Sequence, residues 1–287
     1  MNDTIRIAAV HDLSGFGKCS LTVALPILSA SGVECACIPT ALLSTHTGGF
    51  TGYTFKDLSD EMLPIARHWK KEGVHFDGIY SGYLANPAQA GTLAEIIDLL
   101  ADDETKIIVD PVMADDGKYY ANFGDDMAQA FKQLCRRATI LTPNVTEASF
   151  ITGLPYRAAP HDEAYLRSLT DALGELAPDA IIAVTGAAPE KNSVGVYAVD
   201  RRTGENCLCV QPVREGAFHG TGDIFASAFA ALMVRGASLR DSAEAAISLV
   251  CDSIDRTVAR ETPRRNGVDF EGALPTYVAR VEKLFSK

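Results

Sequence analysis

Residues 218–229 read Phe-His-Gly-Thr-Gly-Asp-Ile-Phe-Ala-Ser-Ala-Phe. Gly220 and Gly222 straddle Thr221, and an apolar, alanine-rich run follows at once. Glycines let the chain turn tightly with its N–H groups facing outward, and a helix opening there adds partial positive charge at its first turn. Such a turn is suited to hold the negative charge that develops when a phosphoryl group is transferred. Asp223, in the first turn, stands where it would take the proton of an attacking hydroxyl beside that anion. The same residues also read as an ordinary helix start, with the aspartate favoured by the helix dipole. This segment alone does not decide between the two.

Further polar residues fall just past short apolar runs: Asp12 and Ser14, residues 45–49, 81–83, 110–116 and 142–147, then Thr185 and Gly186. Each has a plainer reading. Asp110 before Pro111 forms turns. Asn144 caps a helix, with Glu147 three residues on completing a capping box. His46 is a partly buried hydrogen-bonding residue. The hard carboxylate oxygens of Asp115 and Glu147 also suit Mg²⁺, which binds through a few carboxylates, its own waters and substrate phosphates.

The elements that must position these residues alternate between β-branched runs and helical patterns. Strands are expected at 5–10, 33–38, 78–80, 107–109, 139–141 and 180–184. Helices are expected at 18–31, 55–71, 87–100, 123–136, 145–152 (closed by Gly153) and 163–176. Fully apolar strands in βαβα order indicate a mainly parallel central sheet covered by helices on both faces. Runs at 194–199 and 206–211 around the turn residues 201–204 predict an antiparallel hairpin at one edge. Helices at 221–235, 239–258 and 272–285 finish the chain. No linker, repeat or low-complexity tract interrupts it, so one domain over 1–287 is expected. In open parallel sheets ligands bind beyond the carboxyl ends of the strands, and the polar residues above all fall there.

Taken together, the motifs resemble those of pyridoxal kinases in the ribokinase-like superfamily. Gly220-Thr221-Gly222-Asp223 resembles the superfamily signature, which implies Asp223 as catalytic base and the amides of Gly220, Thr221 and Gly222 as an anion hole. The segment 110–115, Asp-Pro-Val-Met-Ala-Asp, and the segment 142–147, Thr-Pro-Asn-Val-Thr-Glu, resemble those that organise magnesium and phosphate. This implies Asp115 and Glu147 at the metal and Asp110 and Asn144 at ATP. Thr185-Gly186 resembles the strand end that touches nucleotide phosphate. Residues 45–48 (Thr-His-Thr-Gly) and 81–83 (Ser-Gly-Tyr) resemble the segments facing the pyridine ring, implying His46, Thr47 and Tyr83 as contacts beside Asp12 or Ser14. The adenine is expected on apolar surface near Phe218, Val250 and Ile254. The resemblance implies a three-layer α/β/α ribokinase-like fold and an ATP- and Mg²⁺-dependent kinase acting on the 5′-hydroxymethyl group of a B6 vitamer. It also implies a homodimer and a monovalent cation such as K⁺ beside the nucleotide.

The first loop departs from that pattern. Residues 10–20, Val-His-Asp-Leu-Ser-Gly-Phe-Gly-Lys-Cys-Ser, lean partly toward hydroxymethylpyrimidine kinases of the same superfamily, leaving open whether Asp12 or Ser14 meets the ring. A non-catalytic B6- or nucleotide-binding protein is the third reading, against which the joint presence of Asp223, Asp115, Asn144 and Glu147 argues. Gly15-Phe16-Gly17-Lys18 imitates a P-loop but lacks the first glycine at Asp12 and the hydroxyl residue at Cys19.

Composition narrows the field further. Among 287 residues, 26 basic side chains against 37 acidic ones leave a net charge of −11. That surface repels nucleic acid and anionic lipid, while outward-facing backbone amides can still bind phosphate locally. Seven cysteines, an odd number, fit a reduced cytoplasmic protein. The pairs Cys35/Cys37 and Cys207/Cys209 lie in strand-like runs where i and i+2 share a face, and core thiols account for them without zinc. The first ten residues carry no signal pattern, and no run approaches the ~18 apolar residues of a membrane span.

Overall fold

The computed structural model describes residues 4–286. The chain opens with β1 (Arg6–Ser14), α1 (Leu21–Ala30), β2 (Glu34–Leu43), a short β3 (Phe55–Asp57) and α2 (Ser59–Lys71). It continues through β4 (Gly78–Ser81), α3 (Ala88–Leu100), β5 (Lys106–Val109), the two-residue strands β6 (Ala114–Asp115) and β7 (Lys118–Tyr119), and α4 (Asp125–Cys135). Next come β8 (Ile140–Leu141), α5 (Val145–Thr152), α6 (Glu163–Leu176), β9 (Ile181–Ala187), β10 (Ser193–Asp200) and β11 (Asn206–Pro212). Helices α7 (Thr221–Val234), α8 (Leu239–Ala259) and α9 (Leu274–Phe285) complete it.

The large sheet runs β11-β10-β9-β8-β5-β4-β1-β2-β3. Its pairs from β9 across to β2 are parallel, and the hairpin β10–β11 at one edge is antiparallel, with Tyr197 opposite Leu208. Residues 7–10 show why the centre is buried on both sides: Ile7, Ala8, Ala9 and Val10 are all at 0 % exposure. Alternation sends Ile7 and Ala9 toward α1, α7, α8 and α9, and Ala8 and Val10 toward the layer of α2 to α6. The result is three layers, α/β/α. Helix α7 is apolar on every side because it packs between the sheet and α8, and residues 224–232 are buried throughout. Each fully buried Phe or Leu there contributes about 1.5–3 kcal/mol.

Three departures from expectation have local causes. The helix expected over 55–71 begins only at Ser59, because residues 55–57 pair with β2 as an edge strand (Leu43 opposite Phe55). Asp57 enforces the break by accepting hydrogen bonds from the Ser59 N–H at 2.7 Å and from its hydroxyl. The helix expected from 18 starts at Leu21, since Gly17, Lys18 and Ser20 all take positive φ. β1 runs on to Ser14, so Asp12 and Ser14 lie on the strand itself rather than beyond it. β6 and β7 pair as a small separate hairpin over residues 114–119. No helix among the described residues is long and apolar enough to cross a membrane.

Candidate active site

Helix α7 opens on Gly220, which has φ 81° and ψ 0°. Glycine is required there twice over: the conformation is left-handed, and a Cβ would lie 2.2 Å from the Lys18 carbonyl oxygen. The first N–H groups of a helix have no acceptor within it, and space is open before them, for a Cβ on Gly222 would meet nothing within 4 Å. Asp223 points to the neighbouring turn, where its Oδ2 accepts the Ser20 N–H at 3.0 Å. Ser20 holds φ 55°, ψ −128°, a conformation that costs a non-glycine residue about 1–3 kcal/mol. It is held by a bridge to Leu13 and by close packing of the 17–18 backbone against Gly220 on one side and Gly267 on the other. Burial pushes the Asp223 carboxyl up to about 7; the Ser20 N–H opposes this and the charge of Asp12 adds to it. A carboxyl so placed can take up a proton near neutral pH.

Asp110 lies near enough to feel the charge of Asp223, and Glu147 neighbours both Asp110 and Asp115. Asp110 is raised well above the usual carboxylate range by burial, then by the charges of Glu147 and Asp223. Glu147 is raised as well, chiefly by burial. Its Oε1 accepts the Met113 N–H at 3.1 Å and its Oε2 the Asn144 N–H at 2.9 Å. Asn144 completes the capping box through the Glu147 N–H and donates its Nδ2 to the Ala114 carbonyl at 2.7 Å. This pair therefore does structural work at the crevice, tying residues 110–115 to the start of α5. Asp115 is the exposed member.

Among the described residues no ion pair reaches Asp110, Asp115, Glu147 or Asp223, and no three metal-type side chains close into a cage. Hard carboxylate oxygens of this kind suit Mg²⁺, which binds through one or two carboxylates, its own waters and phosphate oxygens. Tyr120, which sequence reasoning missed, is 41% exposed, and its phenol is raised by partial burial and by the charges of Glu147, Asp115, Asp223 and Asp110. The only signal was a tandem tyrosine after a turn.

At the end of β1 the structure joins Asp12 and Ser14: the Ser14 hydroxyl donates to Asp12 Oδ2 at 2.7 Å, and both are buried. Burial raises the Asp12 carboxyl against the opposing hydrogen bonds of Ser20 and Ser14. Tyr83 is half-buried, 5.5 Å from the Phe123 ring, and burial with the nearby charge of Asp12 pushes its phenol up to about 12. Thr47 is exposed. His46 is fixed by the protein at both nitrogens, Nδ1 accepting the Gly48 N–H at 3.0 Å and Nε2 donating to the Arg265 carbonyl at 2.7 Å. It can meet a ligand only through its ring face or its C–H edge.

The Thr185 N–H bonds the Pro143 carbonyl at 2.9 Å and Thr185 bridges to Asn144, which brings the ends of β8 and β9 together. Gly186 follows, exposed, at φ 74°. Phe218, Val250 and Ile254 belong to one apolar cluster. The Arg264 guanidinium lies 5.0 Å from the Phe218 ring centroid, and Arg265 lies 5.3 Å from that of Phe50. Neither arginine is apparent from sequence spacing.

A family model described as phosphomethylpyrimidine kinase matches residues 25–265. A pyridoxine/pyridoxal/pyridoxamine kinase of Bordetella pertussis is 29% identical over 270 residues, covering 88% of this chain and 89% of its own. The crystal structure of pyridoxal kinase from Lactobacillus plantarum superposes with a TM-score of 0.88 at 30% identity, covering 97% of this chain and 98% of that one. A protein from Bacteroides thetaiotaomicron, crystallised in an orthorhombic form with pyridoxal, gives a TM-score of 0.87 at 35% identity and covers 96% of each chain. With the sheet order, the glycine-flanked helix start and the carboxylate cluster already described, the chain belongs to the phosphomethylpyrimidine kinase family of ribokinase-like kinases.

Proposed function

We propose that this kinase transfers the γ-phosphoryl group of ATP to the 5′-hydroxymethyl group of a B6 vitamer: pyridoxal, pyridoxamine or pyridoxine. One observation carries the reading. The Asp223 carboxylate, lifted to about 7, is held by the Ser20 N–H beside the open first turn of α7. Asp223 takes the hydroxyl proton as the oxygen attacks in line. The amides of Gly220, Thr221 and Gly222 receive the charge that grows on the transferring group. Asp115, with Asp110 and Glu147 behind it, would hold Mg²⁺ partly through water, and the ion when bound supplies charge neutralisation across the phosphates. Thr185 and Gly186 lie at the phosphate end, and Phe218, Val250 and Ile254 offer the adenine an apolar face. The buried Asp12–Ser14 pair, Thr47, Tyr83 and the His46 ring face line the acceptor side.

The choice of a B6 vitamer rests on the motifs at 45–48 and 81–83, on the Bordetella and Lactobacillus relatives, and on the pyridoxal-bound Bacteroides crystal form. Hydroxymethylpyrimidine is the second reading, favoured by the description of the matching family and by the Asp12-Leu13-Ser14-Gly15 order of the first loop. The proposal takes 1–287 as one catalytic unit and extends to a cytoplasmic homodimer with K⁺ beside the nucleotide, to be checked by sedimentation and by K⁺ titration. ADP release measured with each B6 vitamer and with hydroxymethylpyrimidine tests the assignment. Turnover of a vitamer supports it, turnover of the pyrimidine alone transfers it to the second reading, and ligand binding with no turnover assigns a binding protein.

A further inference from the structure

Two imidazoles meet where the acceptor segment 45–50 touches the phosphate-binding turn. Their ring centroids are 4.9 Å apart, with the planes inclined at 46°. His46 is consumed by the protein, as described above. His219, half-buried and immediately before Gly220, forms no hydrogen bond through its ring among the described residues. What it does is pack. The edge of its ring lies directly on Gly48, where an added Cβ would fall 2.4 Å from Cε1, 2.7 Å from Nδ1 and 3.0 Å from Nε2.

Gly48 has no left-handed φ to explain the glycine. Space does: only a bare α-carbon lets His219 approach. The same glycine gives its N–H to His46 Nδ1, so one residue is gripped from both sides. His46 in turn holds the Arg265 carbonyl, and its ring sits edge-on to Phe50 at 5.1 Å. The acceptor segment is thereby clamped to the residue that opens the anion turn.

We propose that His219 is a positioning residue that registers the acceptor-binding segment 45–50 against the anion-binding turn 220–223, so that filling either half of the site tightens binding at the other. The inference rests on the kinase reading above and deepens it. Among the described residues Thr47 makes no hydrogen bond of its own, so its place is set by its clamped neighbours. A displacement of about 1 Å between reacting groups costs up to 10²-fold in rate.

A double-mutant cycle tests this on the full chain. Gly48→Ala alone drives a methyl group into the imidazole and is expected to raise the pyridoxal KM about tenfold or more while leaving the ATP KM within about twofold. Adding His219→Ala removes the obstacle. The doubly substituted enzyme is then expected to outperform the product of the single losses by about 3- to 100-fold, the coupling found between residues in contact. Calorimetry supplies a second readout, with ADP and pyridoxal as probes. Pyridoxal should bind more tightly to the wild type in the presence of ADP. In His219→Ala that ratio should fall toward one. Additive losses in the cycle, or an unchanged ratio in His219→Ala, overturn the proposal. Failure of the wild type to phosphorylate any vitamer would sink the functional reading instead. The Gly48–His219 coupling would still be measurable from unfolding midpoints and ADP binding.

Discussion

An aspartate in water loses its proton near 3.8, whereas Asp223 in the fold titrates near 7. Its base form is therefore scarce in weak acid. At pH 5, two units below that value, about 1% of the enzyme has the carboxylate free, and kcat/KM for the acceptor should be about a hundredth of its plateau above pH 8. An unshifted carboxylate would be more than about 90% ionised at pH 5 and the profile would be flat. Stability should move the other way. Between pH 4 and 7 the folded protein keeps a proton on Asp223 that the unfolded chain has lost, so this residue's contribution to stability falls as pH rises through that window. Asp223→Asn removes both effects: turnover drops by roughly 10²–10⁴, the rising limb disappears, and the unfolding midpoint exceeds that of wild type above pH 7 with a gap that closes toward pH 4. Product formation followed by chromatography from pH 5 to 9, on protein shown to stay folded, provides the test. A flat wild-type profile, or a rising limb that survives in Asp223→Asn, refutes the reasoning.

Three further substitutions probe separate parts of the site. Gly220→Ala forces a Cβ against the Lys18 carbonyl and a non-glycine residue into φ 81°; it should lower stability by about 1–3 kcal/mol in denaturant titrations and depress kcat by displacing Ser20 from Asp223. Glu147→Gln turns an amide donor toward the N–H of Met113 or Asn144; a loss of about 1–3 kcal/mol is expected, with ATP KM rising more than acceptor KM. Thr47→Ala should raise the acceptor KM with little change for ATP, and equal effects on both would remove Thr47 from the acceptor pocket.

Much of this architecture was legible because it is local. The unbroken apolar run 7–10 announced a strand buried on both faces, and the hairpin of β10 and β11 followed from two runs around turn residues. At α5 the capping pattern Asn144–Glu147 was readable from spacing, and the structure shows the cap facing the carboxylate cluster, so the plain reading and the functional one share the same side chains. What escaped depends on contacts distant in sequence or on backbone atoms. β3 exists because Asp57 stops a helix and β2 offers an edge. Ser20 acts through an N–H exposed by an unusual φ, which no side-chain motif encodes. His219 matters only once folding lays it on Gly48. The imitation P-loop is resolved the same way: Lys18 pairs with Glu271 at 2.7 Å, on a turn that shapes Asp223's surroundings.

A crystal structure with pyridoxal and a non-hydrolysable ATP analogue bound together would bear most directly on the claim that one helix start serves both the alcohol and the phosphate. We expect the 5′-hydroxyl within about 2.6–3.2 Å of the Asp223 carboxylate and the terminal phosphate against the amides of residues 220–222. A hydroxymethyl group turned away from Asp223, or a phosphate seated elsewhere, would contradict the account.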